Sequence, residues 1–269
     1  MNGQQNSTIP ATNAFTAQSG VFDALYRPSP VVQYKRERVQ ALLKKYLKPK
    51  SRILELNAGT GDDALWLAAQ GHTVLATDAS PGMLGQQKRK FSESPHKAQL
   101  LSQACSFLEL EQLRGQAFDA VFSNFGGLNC TNQLAKVLAD AEKLLAPGGV
   151  MLLTIMPPNC LWEWFWVFTG NFSKAFRRWR KDGTPAHIEG QWFTTWYYKP
   201  SWIKKQCPGL KHLTTEALCL AVPPEHHKRL IENRPRLFHF LKWKENLIKT
   251  WPILRGWGDY FVIVLQKPG

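Results

Sequence analysis

The chain has 269 residues, 44% of them hydrophobic, which is enough for a buried core and excludes wholesale disorder. Thirty-four Lys and Arg against twenty Asp and Glu give a formal charge of +14. The excess is uneven, with 16 basic and 12 acidic groups in residues 1–150 and 18 and 8 in residues 151–269, so anionic partners are favoured and the C-terminal part is where they are expected.

Residues 1–20 open polar and low in charge, and a flexible end is expected there. Pro30 to Leu47 has helical spacing, with Val31, Val39, Leu42, Leu43 and Tyr46 apolar between basic residues. Strand and helix signals then alternate. Arg52 to Leu56 reads as a strand, Ala64 to Ala69 as a helix, and His72 to Thr77 as a strand. Ser80-Pro81 opens a helix, Ser as N-cap and Pro in the first turn, where its missing N–H costs nothing. Ala98 to Ala104 is a weaker strand and Phe118 to Phe122 a good one. Leu134 to Leu145 is helical up to Pro147-Gly148-Gly149, and Val150 to Ile155 is a continuous apolar strand. Such alternation predicts a parallel sheet covered by helices on both faces. The regularity breaks at Pro157-Pro158. Residues 157–199 hold 13 of the 32 aromatics and a basic run of Lys174, Arg177, Arg178, Arg180 and Lys181. Leu213 to Val222 returns to a strand pattern, 223–257 is helical and basic, and Asp259 to Leu265 ends in a strong strand.

The stretch Ile53 to Ala64 joins a strand to a helix through Gly59 and Gly61, where the backbone can approach a ligand and helix N–H groups face it. Glu55, Asp62 and Asp63 crowd this turn. Their carboxylates would repel a pyrophosphate and attract a ligand bearing an ammonium and a sulfonium. Asp62 and Asp63 also suit a plain helix-dipole role. Asp78 ends the second strand nineteen residues after Gly59, where an acid can accept hydrogen bonds from both ribose hydroxyls.

The four stretches 54–61, 76–84, 118–124 and 145–149, in that order and spacing, resemble the class I S-adenosylmethionine-dependent methyltransferases of the small-molecule type. The resemblance implies a Rossmann-like, doubly wound α/β sheet of seven strands with the last antiparallel, carrying helical, aromatic-rich insertions. It implies S-adenosylmethionine as cofactor and a core at 21–156, followed by a substrate cover at 157–199. Residues 200–269 would complete the same domain, with a helical insertion at 223–257. Carried over by motif, Glu55 sits near the methionine end, Asn57, Ala58, Gly59, Thr60 and Gly61 pass beneath the cofactor, and Asp78 holds the ribose. Ala79, Ser80 and Met83 lie by the adenine, and Ser123 and Asn124 reach the methionine or the acceptor. Asn57 stands where the motif usually has glycine, and Asn tolerates the left-handed backbone that turn needs. The segment Val21 to Tyr26 is expected to fold across the ligand, with Phe22 or Tyr26 covering it.

Methyl transfer from a sulfonium requires in-line positioning and exclusion of water, with no triad or metal. For an oxygen acceptor a general base helps, and His187, Tyr197 and His226 are the candidates. The aromatic insertion fits three arrangements: the wall of a lipophilic pocket, a membrane-surface element, or core for an extra helical layer. Methyl transfer to a small lipophilic or aromatic acceptor is the first expectation. An RNA methyltransferase is the second, on charge alone, with no recognisable RNA-binding module. A non-catalytic cofactor-binding protein of the same fold is the third. Five scattered cysteines (Cys105, Cys130, Cys160, Cys207, Cys219) without C-x-x-C spacing argue against a disulfide framework. No signal pattern opens the chain and no apolar run nears the ~20 residues of a membrane span. The expected setting is cytoplasmic, with room for peripheral contact with an anionic membrane.

Overall fold

A computed structural model describes residues 8–269. Three helices lead in: α1 (Ile9–Gln18), α2 (Phe22–Tyr26) and α3 (Pro30–Tyr46). The flexible end expected at 1–20 is overturned for 9–18, and residues 1–7 lie outside the described residues. The reason is tertiary: Ala11 and Ala14 are buried against Cys130 and Phe193, partners that local polarity cannot reveal. Ser29 opens α3 as an N-cap, its Oγ accepting the Val32 N–H, with Pro30 at the first position.

The core strands are β1 (Arg52–Leu56), β2 (Thr73–Asp78), β3 (Leu100–Ala104), β4 (Phe118–Ser123) and β5 (Leu145–Ile155). Helices α4 (Asp62–Ala69), α5 (Pro81–Glu93) and α6 (Leu134–Leu144) connect them. Two single-turn helices follow, α7 (Leu161–Trp164) and α8 (Phe172–Ala175), and then an antiparallel hairpin of β6 (Thr184–Ile188) and β7 (Gln191–Thr195). The chain ends through α9 (Pro200–Gln206), β8 (Lys211–Leu218), α10 (Arg229–Glu232), α11 (Pro235–Ile248) and β9 (Tyr260–Gln266). The sheet has seven strands in the order β3-β2-β1-β4-β5-β9-β8, and β9 runs antiparallel to both neighbours. Successive β1 residues serve opposite faces: Ile53 packs in one apolar cluster, Leu54 and Leu56 in the other. Both faces are therefore buried, as the continuous apolar strands required.

The helical cover expected at 157–199 is present only in its first half, as short turns. The second half is the β6–β7 hairpin. Glu189 and Gly190 both have positive φ, +45° and +75°, the two-residue turn whose twist matches paired strands. The sequence reading expects Arg177, Arg178, Arg180 and Lys181 outside this cover. Arg178 instead lies inside at 5% exposure, bonded to Glu163 and Asp259.

Candidate active site

The order reverses between β1 and β4, and the crevice at their carboxyl ends is where such sheets take ligands. β1 ends at Leu56, and Asn57, Gly59 and Gly61 turn the chain into α4 with φ of +46°, +56° and +83°. A Cβ on Gly61 would stand 2.7 Å from the Phe91 ring, so only glycine fits. Asn57 is tied to the end of β4: Ser123 Oγ donates to its Oδ1 at 2.7 Å, and its Nδ2 donates to the Asn124 carbonyl at 3.2 Å. The Asn57 side chain fills the space a Cβ on Gly127 would need, at 2.5 Å. Asp78 closes the turn. Its Oδ2 accepts the Gly59 N–H at 2.9 Å and its Oδ1 the Ser80 N–H at 2.8 Å. Burial raises the Asp78 pKa and these backbone donors oppose the rise. Ser80 caps α5 through Met83 N–H, as its position predicts.

The acids around the turn are in different states. Asp62 meets Lys90 at 2.7 Å, Arg27 at 2.8 Å and Arg36 at 3.1 Å. Burial pushes its pKa up, but Lys90, Arg36 and Arg27 hold it below the ordinary value. Burial raises that of Asp63, which accepts a hydrogen bond from Asn124 Nδ2 at 2.8 Å. Glu55 is 2% exposed, and its Oε2 has no hydrogen-bond partner among the described residues. Burial first, and the charge of Asp63 next, push its pKa well above the usual carboxylate range.

These groups open into one cavity of about 440 Å³. Glu55, Asn57, Ala58, Gly59, Thr60, Asp78, Ala79, Met83 and Asn124 line it. Gly61 and Ser123 stand behind the wall and shape it. Cys105, Ser106 and Phe107, after β3, complete the end beyond Asp78. The roof comes from elements far away in the chain. Phe15 of α1 meets Phe193 of β7 at 6.0 Å, and Phe22 and Tyr26 of α2, rings 4.7 Å apart, both line the cavity. Asp23 fastens α2 to the glycine turn, accepting from Thr60 Oγ1 at 2.6 Å and pairing with Lys90 at 2.5 Å.

Lys35, Arg177, Tyr197, Glu225 and Tyr260 lie at the far end. A chain of buried charges supports it. Lys35 Nζ is 2.9 Å from Asp259, Asp259 is 2.8 Å from Arg178, and Arg178 and Arg177 share Glu163. Burial would raise the Asp259 pKa, but Lys35 and Arg178 hold it far below the usual range.

Of the three base candidates, Tyr197 lines the cavity, its ring centroid 5.1 Å from the Arg178 guanidinium carbon, and burial raises its pKa. His187 is exposed beside Trp192 on the outer face of β6, whose Ala186 and Ile188 face inward. The strand alternation turns it away, so the structure excludes it from the cavity. His226 lies in an adjoining hollow with Glu163, Trp166, Lys174 and Arg177, outside the main cavity. The sequence reading missed Lys35, Arg36, Phe193, Glu225 and Tyr260. Each comes from an element remote from the glycine turn, and no local motif marks them.

The donors and acceptors suit S-adenosylmethionine. The unpartnered Glu55 oxygen suits an ammonium, the remaining lone pairs of Asp78 suit vicinal hydroxyls, and Met83 and Phe107 add apolar lining to the same cavity. Residues 53–149, which hold this turn, Asp78 and β4, match a family described as a methyltransferase domain. Over that stretch the chain is similar to methyltransferase domains. S-adenosylmethionine is the cofactor of such domains. Among curated proteins, the domain is 39% identical over 103 residues to the ubiquinone/menaquinone biosynthesis C-methyltransferase UbiE of Acidiphilium cryptum, covering 38% of this chain and 41% of that one. It is 36% identical over 133 residues to the demethylmenaquinone methyltransferase of Thermus thermophilus, covering 47% and 56%. The chain thus spans about half the length of these relatives.

Among solved structures, the CcbJ methyltransferase of Streptomyces caelestis has a TM-score of 0.62 at 17% identity, over 95% of this chain and 98% of that one. The [4+2]-cyclase SpnF has 0.61 at 14%, over 96% and 95%. These likenesses show a shared fold.

Proposed function

We propose that the protein is an enzyme transferring the methyl group of S-adenosylmethionine to a small, lipophilic or aromatic acceptor. The observation that carries the reading is the unpartnered Glu55 carboxylate lining the same cavity as Asp78. In this reading Glu55 takes the cofactor ammonium and Asp78 the ribose. Asn57 to Gly61 support the chain beneath, Ala79 and Met83 flank the base, and Ser123 with Asn124 sets the methionine end. The cofactor supplies a methyl already activated on a sulfonium, so the protein's task is alignment and dryness. Phe22 and Tyr26 close the cavity over it, and Phe125, Tyr197 and Tyr260 wall the acceptor side. Tyr197 can take a hydrogen bond from an acceptor hydroxyl and orient its lone pair toward the methyl.

The relatives named for quinone methylation support an aromatic, lipophilic acceptor. Among the described residues no helix is long and apolar enough to cross a membrane, and the basic, aromatic insertions suit peripheral contact with an anionic one. An RNA acceptor has only the charge in its favour, and Arg177 and Arg178 are engaged by Glu163 and Asp259 rather than offered to phosphates. Because the fold also carries a cyclase, activity has to be measured. Purified protein with methyl-labelled S-adenosylmethionine should label the detergent-solubilised lipid and small-molecule fraction of a cell extract. Label in bulk RNA and none in that fraction would contradict the proposal.

A further inference from the structure

We infer that the outward face of α11 seats the protein on an anionic lipid leaflet. The inference deepens the peripheral-contact reading above and rests on it. α11 is fixed by one side only. Phe238 and Leu241 pack on the core, and Glu245, 1% exposed, accepts Tyr34 Oη and the N–H groups of Cys219 and Val222, each at 2.9 Å. The opposite side carries Leu237, Phe240, Trp243 and Leu247, exposed by 36% to 52%, and beyond the helix Ile253 is 76% exposed. The spacing of three or four residues puts these four side chains in one stripe. Isolated exposed apolar residues need no explanation, but a rigidly held stripe of them marks an interaction surface.

Charge selects the occupant. Residues 225–257 carry eight basic and three acidic groups, and one of the three is the buried Glu245. Arg234, Arg236, Lys242 and Lys244 form no ion pair among the described residues. Lys244 instead lies over the rings of Phe240 and Trp243, at 5.5 and 5.1 Å from their centroids. Two copies of this face would set like charges against each other, whereas anionic headgroups neutralise the lysines as the rings enter the acyl boundary. The face is also joined to the cavity. Both ends of the 225–257 segment abut the 161–164 turn, His227 at 5.8 Å from the Trp162 ring and Trp257 at 4.8 Å from Trp164. That turn leads into an exposed run, Phe165, Phe168 and Phe172, and on to Arg177 in the cavity wall. A lipophilic acceptor dissolved in the leaflet would then meet the enzyme next to its site.

The test is co-sedimentation of the full chain with phosphatidylcholine vesicles and with equimolar phosphatidylcholine–phosphatidylglycerol vesicles. Wild type should sediment with the mixed vesicles and be weakened by salt. Phe240→Ser with Trp243→Ser should lower that affinity by roughly tenfold or more. Lys244→Gln should lower it about fivefold and flatten the salt dependence. All variants should bind S-adenosylhomocysteine in calorimetry as wild type does, which separates loss of docking from loss of fold. No sedimentation with mixed vesicles, or unchanged sedimentation of the double ring variant, overturns the inference. So does a wild-type dimer that the ring variant dissolves, since the face would then belong to a second copy. Failure of S-adenosylhomocysteine to bind wild type would strike the enzymatic reading instead.

Discussion

Glu55 and Asp78 sit four and nineteen residues from the same glycine, yet they are held in opposite ways. Asp78 is held by two backbone N–H groups and presents its remaining lone pairs. Asp78→Ala removes a charged acceptor and should weaken S-adenosylhomocysteine by about 1.5–3 kcal/mol, some tenfold to a hundredfold, read by calorimetry. Glu55 has no such support, and its raised pKa has a sign that can be worked out. Its proton is held more tightly in the folded than in the unfolded chain, so its contribution to stability is present at low pH. That contribution is lost as pH rises through the raised value. Affinity for a cationic ligand changes the other way, increasing with pH as the carboxylate forms, and binding below that value should release a proton. Titrations in buffers of different ionisation enthalpy should show that release in wild type and a smaller one in Glu55→Gln. Equal release in both would exclude Glu55 as the ammonium partner. Both acids were legible because a strand end and a glycine turn fix them locally. Arg36, which neutralises Asp62, was not, since nothing in its helix distinguishes it from its basic neighbours.

Elements close the site. α2 is five residues long and would not persist alone. It is fixed by Asp23 to Thr60 and Lys90. Cofactor bound beneath Phe22 and Tyr26 should add contacts to α2, so protease cleavage between α1 and α2 should slow when S-adenosylhomocysteine is added. Equal rates would mean that the segment does not cover the ligand. The glycine turn tolerates little: Gly61→Ala meets both a positive φ and the Phe91 ring, and should lower thermal stability and cofactor affinity together. Arg178 links the aromatic insertion to β9. Its side chain is 4% exposed, and Arg178→Ala removes a shared cation while Lys35 still faces Asp259 and Arg177 still faces Glu163, so denaturant unfolding should show a loss below the about 3–5 kcal/mol of a wholly unpaired buried charge. The sequence marked this arginine only as one of a basic run, which is why it was expected outside. The β6–β7 hairpin was missed for a related reason. Its turn, Glu189-Gly190, follows a helical-looking stretch, and its inward residues Ala186, Ile188 and Phe193 find their partners in α1.

At the scale of the whole molecule, the alternation of apolar strands with capped helices announces a doubly wound sheet, and the motif order implies the antiparallel last strand. The structure places β9 between β5 and β8 accordingly. Apart from Phe22 and Tyr26 of α2, which the resemblance put there, the roof was beyond local reading, because α1, the hairpin and Tyr260 come from distant parts of the chain and meet only in the folded state. The most direct test is a calorimetric titration of the purified chain with S-adenosylhomocysteine and, in parallel, with NAD. The account predicts saturable binding of S-adenosylhomocysteine, lost or strongly weakened in Asp78→Ala, and none of NAD. Saturable binding of NAD with no heat from S-adenosylhomocysteine would contradict it.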